Sequence, residues 1–186
     1  MKTSDNWAKH AKIKAWLVCG GFALWTIFTV FVLGIYPQYL SILFFYILLV
    51  TNTFFSIRIF ATITPTDNWG QKFWDALLFF CLVSLPLSFS SPVWFVFINT
   101  LLFIIATLKY IFLIPLVGFT KLLHKKIRID TLGILLCLTC LAGVMINITY
   151  TALNIWVITF FIANNYVLWY KPLYKLEHHL EKYLNI

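Results

Sequence analysis

The chain has 186 residues, 62% of them hydrophobic and 19% aromatic, with only 11% charged and a net charge of +8. A soluble domain carries charge on about a quarter of its residues and exposes much of its surface, so a water-soluble globular fold is not expected and lipid is the solvent that fits. The basic surplus reads as Lys and Arg flanking membrane spans, and direct nucleic acid contact is not expected.

A helix needs about 20 apolar residues to cross the hydrocarbon core, and six segments are predicted to do so. Lys2, Lys9, Lys12 and Lys14 introduce the first apolar run, residues 13–36. It is too long for the apolar region of a signal peptide and reads as a span. Pro37-Gln38 marks a tight turn into the second, 39–62. The third, 73–89, is short and holds Pro86. Ser88 to Pro92 is a breaker cluster, and the fourth span follows as 92–116. A basic loop over 117–130 leads to the fifth, 131–148, and the sixth, 151–170. Between those two, residues 147–151 are polar but offer neither Gly nor Pro. The runs are continuous and do not alternate, which disfavours strands. The fold class read from this is an all-α integral membrane protein. About six transmembrane helices form three hairpins within 1–170, and 171–186 is an amphipathic cytoplasmic tail.

Charge sets the expected orientation. With the N-terminus inside, the inner segments are 1–12, 63–72, 117–130 and 171–186. Of the 14 basic and 6 acidic residues, all but Lys14, Arg58, Asp75 and Lys109 fall there. Those four lie near inner span ends, where long side chains can snorkel to the interface. The outer turns carry no charge, so both termini are expected in the cytoplasm. Trp69, Trp74, Trp169 and Tyr170 sit where an inner aromatic belt would lie. Brevity and tiny outer loops suggest a bacterial inner membrane. Asp5-Asn6-Trp7, Asp67-Asn68-Trp69 and Asp130 precede alternate spans. They read either as triplicated hairpins or as Asp residues independently capping helix N-termini.

Chemistry is sparse. Cys137 and Cys140 form a CxxC pair inside the fifth span, with Cys19 and Cys81 in other spans. A redox pair usually sits at a helix N-terminus, so these read as buried apolar residues. His10, His124, His178 and His179 all lie outside the spans. Adjacent histidines on a helix point about 100° apart, which suits chelation poorly. No nucleophile elbow, HExxH, P-loop or GxGxxG occurs. A non-enzymatic protein without cofactor or metal is expected.

Three groups remain as candidate sites. Asn52, Asn99, Asn164 and Asn165 fall within spans, as a pore or ligand lining or as interhelical glue, which favours a homo-oligomer. Arg58 and Asp75 are expected to pair at the inner boundary, as a site or a structural clamp. Lys121, Lys125, Lys126 and Arg128, with Lys171 and Lys175 of the tail, would dock an acidic cytosolic partner or anionic lipid heads. Leu173, Leu176, Leu180 and Leu184 make one apolar stripe on the tail.

A short, basic, Phe- and Ile-rich membrane protein without catalytic motifs resembles, in layout, the membrane subunits of small bacterial phage-defence systems of the Kiwa type. That resemblance implies an oligomeric inner-membrane subunit working with a cytosolic protein. The two other readings are a small oligomeric channel, with Asn52, Asn99 or Asn164 on a shared axis, and a substrate-binding component of a transporter.

Overall fold

The computed structural model describes residues 2–34, 36, 39–65, 67–117 and 120–170. The expected turn at Pro37-Gln38 and the tail with Lys171, Lys175 and its leucine stripe lie outside them. Among the described residues there are six helices and no strand. They are α1 (Lys2–Leu33), α2 (Leu40–Ile63), α3 (Trp69–Leu87), α4 (Pro92–Leu113), α5 (Thr120–Met145) and α6 (Thr149–Asn165). A 3-10 turn, Ile114–Leu116, prolongs α4, and a π turn, Tyr166–Tyr170, prolongs α6.

Five of these helices are long and apolar enough to cross a membrane, as an integral membrane protein requires. Their outward faces are apolar and uncovered, Phe31 being 88% exposed. The helix α3 is the exception. Its 19 residues include Gln71, Lys72 and Asp75 in the first two turns, which leaves it a shorter apolar stretch than the other five helices have. The fifth element also departs from expectation. Residues 120–130 are not a loop but the first turns of α5, continuous with its apolar part.

Consecutive helices form the three hairpins, and each helix packs chiefly on two neighbours. The resulting order around the bundle is α1, α2, α6, α5, α4, α3 and back to α1. Gly34, at φ +72°, ends α1, and its N–H donates to the Val30 carbonyl at 3.0 Å. The α3 cap is Asn68, whose Oδ1 accepts from the Gln71 N–H at 3.0 Å. Neither Asp5 nor Asp130 is a cap: α1 already runs from Lys2, and Asp130 lies in the third turn of α5. The turn without Gly or Pro is closed by Asn147 at φ 66°. Its N–H donates to Val144 and that of Ile148 to Gly143, at 3.2 and 3.1 Å, the two bonds of a Schellman motif. Gly143 also lets α6 come close, since a Cβ there would stand 2.7 Å from Ala152 Cβ.

At the end of the bundle without charge, aromatic rings fill the interior. Phe45 stacks on Trp156 at 3.8 Å and meets Phe160 at 4.4 Å and Phe95 at 6.0 Å. Phe89 closes on Phe95 and Tyr46 at 5.7 and 5.8 Å. Pro86 lies inside α3 and has no N–H to offer the Leu82 carbonyl. The Tyr46 hydroxyl donates to that carbonyl instead, at 3.0 Å, so a defect of α3 becomes a bond to α2.

Asn147 should tolerate glycine and reject a β-branched residue. The left-handed conformation costs an L-residue about 1–2 kcal/mol, and Asn bears it better than Ile does. Melting curves in detergent should place Asn147→Gly at or above wild type and Asn147→Ile below it. Equal melting of all three would mean that the turn does not control the α5–α6 hairpin.

Candidate functional site

Charge that cannot face lipid collects inside the bundle at its other end. A cavity of about 420 Å³ lies there, walled by α1 to α5. Its lining carries Lys14 from α1, Lys72 and Asp75 from α3, Lys109 from α4, and Lys126 and Asp130 from α5. Four ammonium groups against two carboxylates leave a surplus of two positive charges. Uncharged polar groups join them: Asn52 and Ser56 from α2 and Gln71 from α3.

Two ion pairs organise the charges. Lys109 Nζ donates to Asp75 Oδ1 at 2.5 Å and joins α4 to α3. Lys109 is buried while Asp75 is 49% exposed, so this pair runs from the interior to the cavity mouth. Lys126 Nζ donates to Asp130 Oδ1 at 2.6 Å, one turn apart on α5, and both are buried. Tyr110 lies beside both cations, with its ring centre 5.9 Å from Lys109 Nζ and 5.6 Å from Lys126 Nζ. Such contacts between cation and ring face are favourable, more so away from water. The Tyr110 hydroxyl shares a hydrogen bond with Ser56 Oγ at 2.9 Å, and its ring meets Phe60 at 4.6 Å. Tyr110 therefore ties α4 to α2 beneath the cavity.

The lining also holds acceptors with nothing to accept. Gln71 is 2% exposed and its Oε1 has no partner. Asp130 is 1% exposed and its Oδ2 has none. Thr64 Oγ1, a hydroxyl that can donate as well as accept, also has no partner. A buried polar atom left unmatched costs about 1–3 kcal/mol, so these atoms mark where a donor belongs.

The expected site residues are redistributed by this geometry. Asp75 takes Lys109 as its ion partner where Arg58 was expected, because Lys109 projects from the neighbouring helix α4 into the cavity. Arg58 is half-buried on α2 and is not among the lining residues. Lys126 is not a docking cation, since it is turned inward onto Asp130. Lys121, Lys125 and Arg128 are exposed on the opposite side of α5. Asn52 lines the cavity. Asn99 and Asn164 are buried within the chain, so they present no face to an axis shared between copies. Asn99 Nδ2 donates to the Phe95 carbonyl of its own helix at 2.9 Å, and Asn165 does the same to Phe161 at 2.8 Å.

Lys109, Lys14, Gln71 and Tyr110 were not among the expected site residues. A signal existed for the first two: both stand inside apolar runs. Snorkelling offered an equally good explanation of them; Lys109 is buried against Asp75, whereas Lys14 lines the cavity while remaining exposed. The four cysteines are free thiols, three of them buried, and none lines the cavity. Among the described residues, no three His, Cys, Asp or Glu side chains gather as metal ligands.

Removing one partner of a buried ion pair leaves a bare charge, which costs about 3–5 kcal/mol, whereas replacing both by apolar groups is often neutral. Lys126→Met should therefore lower the unfolding midpoint in detergent, and Lys126→Met with Asp130→Leu should restore it. A double variant no more stable than the single one would show that the two charges do not depend on each other.

No protein-family model matches the chain, and neither a curated protein nor a solved structure matches it.

Proposed function

We propose that the chain is a six-helix integral membrane protein, with both termini in the cytoplasm, that binds a small anionic ligand in its charged cavity. The observation that carries this reading is the lining, where four lysines from four helices surround two aspartates. A surplus of positive charge in a partly enclosed, low-dielectric space attracts an anion far more strongly than the same charge on a surface. By the positive-inside rule the charged end faces the cytoplasm, so the ligand is taken from that side or from the inner leaflet. The role is binding, as in a substrate-binding membrane component. The acids of the lining are held by lysines, and no nucleophile beside a base is found among the described lining residues. The aromatic filling at the other end speaks against a continuous aqueous pore through one copy.

Purified protein in neutral detergent should be stabilised by millimolar phosphate, pyrophosphate or citrate, and not by choline or tetraethylammonium. Ligand at a hundred times its Kd adds about 2.7 kcal/mol to the folded state, which is readily seen in a melting curve. Lys72→Gln should weaken the effect of every anion. Stabilisation by none of them, or by cations equally, would end this reading.

A second reading keeps the docking of an acidic cytosolic protein. It is favoured by Lys121, Lys125 and Arg128, which recur at helical spacing along the exposed side of α5. Lys125→Glu with Arg128→Glu should abolish recovery of that partner in neutral detergent while membrane insertion stays normal. Rim charges act on association rate and salt sensitivity, so recovery by the wild type should also fall as salt rises. Undiminished recovery by the double variant would leave these cations as topology signals alone.

A further inference from the structure

We infer that the ligand of the cavity is the phosphate-bearing head of a membrane lipid, admitted sideways between α1 and α3. The cavity selects a head that also carries an O–H or N–H donor. This rests on the anion-binding reading above and names its ligand class.

The first argument is the shape of the lining. Its charged groups lie at one end, and Val18, Phe22, Leu82 and Phe103 line the other. A soluble anion has no use for that apolar half, whereas a lipid brings acyl chains with its phosphate. The volume of about 420 Å³ falls within the ordinary range for pockets that hold one small molecule, about 300–1,000 Å³.

The second argument is where the cavity opens. A ring contact and a hydrogen bond join α1 to α3 toward its uncharged end. Phe22 meets Phe79 at 5.6 Å, and Trp25 Nε1 donates to the Val83 carbonyl at 2.9 Å. On the charged side of those contacts Lys14, Lys72 and Asp75 line the cavity and are exposed. These exposed lining residues put the mouth at the charged end of the bundle, with Lys14 of α1 and Lys72 and Asp75 of α3 on its lateral side and Pro65 of the α2–α3 turn at its end. The polar first turns of the short α3 form one edge of it.

The third argument is depth. At 1.5 Å per residue, Lys14, Lys109 and Lys126 stand about 25–29 Å along their helices from the uncharged end. A hydrocarbon core is about 30 Å thick, so these cations lie at its inner edge, just below the lipid phosphates. A head group reaches them by moving sideways, without leaving its leaflet.

The unmatched atoms then define the head. An ionised phosphate diester only accepts hydrogen bonds, and the lysines supply donors for it. Gln71 Oε1 and Asp130 Oδ2 are themselves acceptors, buried and without partners. A ligand that brings a donor against them satisfies both. Glycerol hydroxyls or an ethanolamine ammonium provide one, and a choline head does not.

The test uses the full chain in neutral detergent, with phosphatidylglycerol, phosphatidylethanolamine and phosphatidylcholine of identical acyl chains, and soluble glycerophosphate. Binding is read by native mass spectrometry and by the shift in melting temperature. The first two lipids should bind at roughly tenfold lower concentration than phosphatidylcholine, the effect of one satisfied buried polar group. Gln71→Met should reduce that preference while retaining binding of all three lipids. Lys72→Gln should weaken all three, and Lys12→Gln, exposed on α1 outside the cavity, should weaken none. If Gln71→Met does not fold, the wild-type preference alone decides. Equal binding of the three lipids, or a Lys12→Gln effect as large as that of Lys72→Gln, would overturn the inference. Glycerophosphate binding as tightly as phosphatidylglycerol would remove the lipid and leave the anion-binding cavity standing. Failure of every phosphate compound to bind would remove both.

Discussion

In a bilayer a charge on a helix has two places to go: the water beyond the helix end or the interior of the bundle. Each charged group left in hydrocarbon costs several kcal/mol, and this constraint arranges the rest of the molecule. Lys14, Asp75 and Lys109 stand too far along their helices to be merely terminal, and all three line the same cavity. Lys126 and Asp130 belong to α5 but turn inward with them. Once inside, a charge must be paired. Lys109 meets Asp75 across two helices, and Lys126 meets Asp130 along one.

The same constraint divides the bundle by height. Where the helices carry no charge, aromatic side chains from α2, α4 and α6 fill the space between them, with Phe45 against Trp156 as the tightest pair. Where charge is present, close filling gives way to a cavity. The like charges of its lysines repel one another, which keeps that end from closing onto itself. The short α3 is part of this division. Its polar start belongs to the cavity, and its apolar end, with Phe89, belongs to the filled half.

Local defects are handled by neighbouring helices. Pro86 would leave the Leu82 carbonyl without a donor, and Tyr46 of α2 supplies one. Asn147 closes a turn that has neither Gly nor Pro, because Asn tolerates the left-handed conformation better than most residues. In each case the backbone keeps its hydrogen bonds, as it must where no water can replace them.

The sequence by itself determined the class. Continuous apolar runs in lipid leave only helices, and the expected and observed elements agree to within a few residues for α2 and α4. It also determined that charge gathers at one end of the chain's hairpins, since that is a matter of residue position alone. It could not determine direction. Residues 120–130 carry charge in either a loop or a helix, and only the continuous α5 separates outward Lys121, Lys125 and Arg128 from inward Lys126 and Asp130. Nor could the sequence settle the partner of Asp75, for which Arg58 was expected. Arg58 and Lys109 are both cations near the same level, and the choice follows from α4, not α2, packing chiefly beside α3. Gln71 gave no signal in one dimension. Its role comes from being buried beside a cavity that five helices close together, and helix order around a bundle is settled by side-chain packing between segments far apart in the chain.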